Sequence, residues 1–188
     1  MRKIILYMFV TLDGFVAGPN GEFDDFEPSL EEHQFANELF RSAGGLLFGR
    51  ITYHGFSDYW DALDLTDPSI SAVEREFAQI FRMQPRVVFS RTLERVDDKA
   101  TLIKRDLVAE VTKVKEQPGN DLLLVCGPEL CAALAAHQLI DECVLLIKPR
   151  VLGRGKALFG ELAGKLDLQL LSTKTFASGV VLHHYRFL

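Results

Sequence analysis

The sequence is short of several things, and each shortage excludes a class of protein. Its 188 residues hold three cysteines, Cys126, Cys131 and Cys143, too few for a disulfide scaffold. Cys126 and Cys131 are separated by four residues, with no second pair and no histidine cluster nearby, so a zinc site does not follow. They read as small buried apolar residues of a protein in a reducing, cytoplasmic setting. Positive charge is also scarce. Lys and Arg number 21 against 26 Asp and Glu, a net charge of −5, with an isoelectric point near 5.5. That balance argues against nucleic acid or an anionic membrane as partner, because both are bound by massed Lys and Arg. It leaves room for a small anion, which needs only a few placed donors. No apolar run approaches the roughly 20 residues of a membrane span. Met1-Arg2-Lys3 followed by Ile4 to Val10 has the outline of a signal peptide, but the run is short and Asp13 follows without a small-residue cleavage site; a buried first strand is expected. A 48% hydrophobic and 25% charged composition excludes disorder and suits one domain over residues 1–188.

The common catalytic fingerprints are missing as well. Gly153 and Gly155 are followed by Leu158 where a dinucleotide motif needs its third glycine. Gly155-Lys156 has Arg150 in the place of the first P-loop glycine. No G-x-S-x-G, H-E-x-x-H or zinc-deaminase pattern occurs. His183 and His184 are neighbours in a predicted strand, so they face opposite ways and cannot share a metal.

What is present alternates between strand and helix signals. Strands are expected at 3–10, 46–48, 86–89, 101–103, 122–125 and 143–147, near-continuous apolar runs of the kind covered on both faces. Residues 13–28, rich in Gly, Pro, Asp and Asn, read as a loop. Ser29 and Glu32 predict a capping box opening a helix that Gly44-Gly45 stops. Further helices are expected over about 52–60, from Asp67-Pro68 onward with the stripe Ile70, Val73, Phe77, Ile80 and Phe81, over about 107–115, and from Glu129 to His137. At the end, Leu166, Leu168 and Leu170 alternate with polar residues, a half-exposed strand; Ala177-Ser178-Gly179 turns the chain and Val180 to Leu188 returns. The expected architecture is an α/β fold, with a mainly parallel central sheet flanked by helices and an antiparallel C-terminal hairpin.

Three strand-to-helix junctions carry chemistry suited to phosphate: Gly49-Arg50-Ile51-Thr52, Ser90-Arg91-Thr92 and Gly127-Pro128-Glu129. In an open α/β sheet, ligands bind beyond the carboxyl ends of the strands, where helix N-termini offer free N–H groups and an arginine adds a permanently charged fork. The competing reading makes Arg50 and Arg91 solvated partners of the chain's many carboxylates and the glycines mere turn formers. Likewise Tyr53, Phe56, Tyr59 and Trp60 stand at helical spacing, as core packing or as a wall for a flat heterocycle.

These segments, in order, resemble the stand-alone reductases of the RibD C-terminal-domain family, within the dihydrofolate reductase-like fold. The resemblance runs through Thr11 to Gly21, Gly49 to Tyr53, Val88 to Leu93, Leu124 to Pro128, Leu139 to Glu142 and Pro149 to Phe159. It implies an NADPH-dependent reductase, often a homodimer, acting on a small pteridine-like or aminopyrimidine-like molecule. By that resemblance Gly49, Arg50 and Thr52 hold cofactor phosphates, Ser90 and Arg91 take the 2′-phosphate, and Gly127 lies against the pyrophosphate and nicotinamide half. The family's Gly-Gly at this last turn is Cys126-Gly127 here, which puts a side chain where a ligand approaches the backbone. Asp13 and Tyr53 fall to the substrate pocket. Reduction of a C=N or C=O bond also requires a proton donor: Asp24, in the family's Asp-Trp position, or Glu31, or bound water. With those two departures, a nucleotide-binding protein that keeps the fold but is catalytically silent is the alternative.

Overall fold

The computed structural model describes residues 1–23 and 26–188. Its strands are β1 Ile4–Thr11, β2 Phe15–Ala17, β3 Leu46–Gly49, β4 Arg86–Phe89, β5 Ala100–Ile103, β6 Leu122–Val125, β7 Glu142–Lys148, β8 Lys156–Ala157, β9 Leu168–Thr175 and β10 Val181–Phe187; its helices are α1 Leu30–Ser42, α2 Arg50–Trp60, α3 Ala72–Met83, α4 Leu107–Glu116 and α5 Pro128–Ala135. Eight strands form one sheet in the order β5-β4-β3-β6-β1-β7-β10-β9. The pairings from β5 through β7 are all parallel, whereas β10 runs antiparallel to both β7 and β9.

The parallel strands are where the sequence is most apolar, and the reason is burial on both sides. All four residues of β6, Leu-Leu-Leu-Val, are buried, and β1 is nearly so. On one face α1, α2 and α3 meet in a cluster of rings. Phe40 lies 4.9 Å from Phe77, and Phe56 lies 5.5 Å from Phe48 and 5.8 Å from Phe81. Core packing is thus the role of Phe56, and of Trp60, whose ring is 4.6 Å from Phe77. The three cysteines are buried free thiols, as expected.

Several boundaries differ from the sequence reading. The third helix starts at Ala72, not at Asp67-Pro68. Asp67 closes a separate turn by accepting the Ser69 amide at 2.8 Å, and Ser71 with Glu74 makes a reciprocal capping box. The Ser29–Glu32 box forms only in half: Ser29 Oγ accepts the Glu32 amide, but the Glu32 carboxylate is spent elsewhere, as described below. Helix α2 begins at Arg50, two residues early, with Gly49 as its N-cap. The loops 13–28 and 151–165 contribute a small second sheet of β2 and β8. Gly155 is required there, because a Cβ would come within 2.3 Å of the Ala17 carbonyl oxygen. Strand β9 is not half-exposed. Leu168 is half-buried, but every residue after it is exposed, with Leu170 at 52%, because β9 is the outer edge of the sheet.

Candidate active site

Parallel strands put their carboxyl ends on one edge, so the three junctions singled out in the sequence emerge together. Gly49 ends β3, Phe89 precedes Ser90 at the end of β4, and Val125 leads into Cys126 and Gly127. Both Gly49 and Gly127 are helix N-caps without a side-chain hydrogen bond, which leaves first-turn amides of α2 and α5 facing outward. The two helix starts adjoin: a Cβ on Gly49 would lie 3.6 Å from Leu130 Cδ2 of α5. Above Gly127 the space is open, with no heavy atom within 4 Å of a Cβ placed there. Cys126 does not crowd this approach, contrary to expectation, because its residue is fully buried and burial pushes its thiol well up. An unreactive thiol turned into the core leaves the edge clear.

An open groove of about 570 Å³ lies along this edge, lined by Arg50, His54, Thr92, Leu93, Glu94 and Arg95. Arg50 and Thr92 therefore meet as the sequence implied. His54 and Arg95 join them unforeseen, since no motif marks them and only the fold brings α2 against the chain leaving β4. Thr52 is half-buried in the first turn of α2. Ser90 Oγ accepts the amides of Thr92 and Leu93 at 3.3 and 3.0 Å and lies 3.5 Å from the Thr92 hydroxyl, which shapes the turn carrying exposed Arg91. Among the described residues, none of Arg50, Arg91 and Arg95 has an ion-pair partner. Arg2, Arg41, Arg75, Arg82 and Arg86 are by contrast all engaged with carboxylates or carbonyls. Among the described residues Arg50 and Arg91 thus stand solvated without a carboxylate partner, as Arg105 and Arg154 also do. A second hollow, about 320 Å³ at the amino ends of the strands beside Asn120 and Asp121, lies at the opposite edge from these junctions.

Of the carboxylates that the sequence singled out, Asp13 and Glu31 are tied down. Asp13 is exposed, but its oxygens accept the Thr11 hydroxyl at 2.6 Å and the amides of Leu152 and Gly153 at 3.2 and 2.7 Å. The Thr11 hydroxyl first, then these amides, hold it below the usual range. Asp13 thus latches the loop after β7 across the end of β1. Glu31 accepts the Ala177 amide at 3.1 Å and lies 3.2 Å from Lys174 Nζ; the amide and the lysine keep it low, as a carboxylate poorly suited to donate a proton at neutral pH. Asp24 lies outside the described residues. Tyr53 is only 4% exposed and is not among the residues that line the groove, so it offers no stacking wall.

Beneath the edge lies a buried ion pair that the sequence did not foretell, although Glu32 itself was expected as a capping residue. Glu32, fully buried, accepts from Ser178 Oγ at 2.5 Å, Ser29 Oγ at 2.7 Å and Lys148 Nζ at 2.9 Å. Burial works to raise its pKa, but these three donors outweigh it and hold the carboxyl below its ordinary value. Lys148 also donates to the Glu27 carbonyl at 2.8 Å, so one ammonium joins β7, α1 and the segment before α1. The signal available was Lys148 itself, a lysine continuing an apolar strand at a buried position.

A six-stranded parallel core with a C-terminal antiparallel hairpin, and cation-bearing junctions on one edge, defines the dihydrofolate reductase-like class. The RibD C-terminal domain model matches residues 2–182, and the chain belongs to that family. It is 36% identical over 182 residues to the uncharacterized protein YyaP of Bacillus subtilis (strain 168), covering 96% of this chain and 92% of that protein. The structure resembles that of a Shewanella sp. PV-4 protein with a provisional riboflavin-biosynthesis name, at a TM-score of 0.77 and 24% identity, over 100% of this chain and 99% of the other. It also resembles dihydrofolate reductase from Enterococcus faecalis in complex with NADP(H), at a TM-score of 0.65 and 11% identity, over 98% and 96%. The fold is of the reductase type.

Proposed function

We propose that this chain is an NADPH-dependent reductase that passes hydride to a C=N or C=O bond of a small pteridine-like or aminopyrimidine-like molecule, working as a cytoplasmic homodimer. The observation that carries the reading is that Arg50 and Arg95, which have no ion-pair partner among the described residues, share a groove at the carboxyl edge of the sheet, where α2 and α5 start from glycine N-caps. The residues present fit a dinucleotide: its phosphates need several donors within one elongated groove, and Arg50, Arg95, the first-turn amides of α2 and the Ser90-Arg91 turn supply them. NADPH supplies the hydride chemistry when bound. In this reading Arg50 and the α2 amides hold the pyrophosphate, and Ser90 and Arg91 take the 2′-phosphate. Gly127 lets the ligand approach the backbone. Asp13 orders the loop that borders the substrate, and the proton for the heteroatom is assigned to Asp24 from the sequence resemblance alone. The family relationship and the NADP(H) complex of the E. faecalis enzyme support the cofactor assignment.

The test is a fluorescence titration with NADPH and with NADH. Arg91→Ala is expected to weaken NADPH by roughly 1.5–3 kcal/mol, the scale of a charged hydrogen bond, with little effect on NADH. Arg50→Ala is expected to weaken both alike, since both carry the pyrophosphate. Equal losses on Arg91→Ala would refute the 2′-phosphate assignment. Tight binding without oxidation across pterins, aminopyrimidines and flavins would favour the silent binding protein.

A further inference from the structure

The two walls of the groove are fastened to each other by a pair that touches no ligand. One wall is the start of α2, with Arg50 and His54; the other is the chain leaving β4, Thr92 to Arg95. Tyr53, three residues after Arg50, turns its ring inward, where it is 4% exposed. Its hydroxyl donates to Asp97 Oδ2 at 2.5 Å and accepts from the Asp97 amide at 3.2 Å. Asp97 closes the segment that bears Ser90, Arg91 and Arg95, and its other oxygen accepts the Lys99 amide at 2.7 Å.

The pair has its own support. The side chain of Arg86 on β4 is completely buried. Its Nη1 lies 3.4 Å from Asp97 Oδ2, and its two terminal nitrogens bind Asp61, the C-cap of α2, at 2.5 and 2.9 Å. Its guanidinium carbon sits 4.0 Å above the Phe81 ring. One buried cation thus grips both the end of α2 and the segment opposite its start. Burial tends to raise the Asp97 carboxyl, but the Tyr53 hydroxyl, the Lys99 amide and Arg86 keep it below its ordinary value.

The structure assigns Tyr53 and Asp97 a positioning role: their bond sets the separation between Arg50 and the Arg91–Arg95 segment before any dinucleotide arrives. This deepens the NADPH reading and rests on it. The physical benefit is preorganisation. An exposed six-residue segment with three charged side chains would otherwise lose its conformational freedom on binding, and that loss would weaken affinity. The effect differs between the two cofactors, because only NADPH carries a phosphate for the Arg91 side.

The experiment uses the full chain and four proteins: wild type, Tyr53→Phe, Asp97→Ala and Asp97→Asn. Tyr53→Phe keeps the buried ring and removes only the hydroxyl. Amide exchange of the free proteins, thermal melting, and dissociation constants for NADPH and NADH are measured. The expected result is faster exchange over residues 91–98 in Tyr53→Phe and Asp97→Ala, with NADPH weakened roughly tenfold and NADH markedly less. Asp97→Asn, which can still accept the tyrosine proton, should recover most of the loss. The double variant Tyr53→Phe/Asp97→Ala should bind no worse than either single one, the mark of a pair acting as a unit. Unchanged exchange overturns the tie. Faster exchange with unaltered NADPH binding, or equal losses for both cofactors, overturns its role in positioning. Failure of the wild type to bind NADPH ends the functional reading and this role with it, and is told apart from failure of the tie because exchange is read without cofactor.

Discussion

At the scale of single residues, the charges divide by whether they have partners. Glu32 and Lys148 are buried together, and their mutual attraction is completed by two serine hydroxyls. Such a pair adds little over a well-packed apolar substitute, but removing one member strands the other's charge in the interior. Lys148→Met is therefore expected to cost about 3–5 kcal/mol in urea denaturation, and Glu32→Leu in the same chain should restore much of that. If Lys148→Met lost less than about 1 kcal/mol, water would have to reach Glu32. Tyr7 lies in the same region with a buried hydroxyl that has no hydrogen-bond partner among the described residues, pushed upward in pKa by burial and then by the Glu32 charge. Arg50, Arg91 and Arg95 are the opposite case, exposed and unpaired among the described residues, where a ligand and not the fold would satisfy them. The arginines were legible as types at strand ends. Their freedom from carboxylates was not, because a sequence lists 26 acids without saying where they point.

Among the elements, the sequence signals were strongest where burial is uniform and weakest where a side chain chooses between partners. The parallel strands followed from their apolar runs, and α3 from its stripe of Phe77, Ile80 and Phe81. Its start was displaced because Asp67-Pro68 resembles a cap as closely as Ser71 does, and only the Glu74 carboxylate settles which one closes the box. Strands β2 and β8 had no signal, being three and two residues long and held by each other and by the Asp13 latch. Asp13→Ala is expected to speed amide exchange at Leu152 and Gly153 and to expose the 151–155 chain to proteolysis at Arg154. Because Asp13 is held below its ordinary 3.8, the latch should stay shut through mild acid and open only as the pH falls past that value. Loosening near neutrality would contradict its geometry.

For the molecule as a whole, three of the carboxylates that join distant segments share one property. Glu32, Asp97 and Glu142 are all kept below their ordinary values against the opposing effect of desolvation, the last by Lys3, just before β1, and His184 on β10. Groups depressed in the folded state contribute stability that is complete above the unfolded values of 3.8 and 4.5 and is lost as the pH drops through the lower folded ones. Denaturation midpoints should accordingly fall steeply below about pH 4.5, and less steeply in Glu142→Gln; a flat profile there would mean that these pairs add nothing. The sequence by itself determined the alternation of strands and helices, the parallel core and the glycine and arginine junctions, since each depends on whether a residue is buried, turned or charged, which is local information. Tertiary structure alone decided that Arg50 faces Arg95, that Tyr53 is fastened to Asp97 and that Lys148 is paired with Glu32. Those partners stand 45, 44 and 116 positions apart, and only the order and register of the sheet bring them within reach of one another.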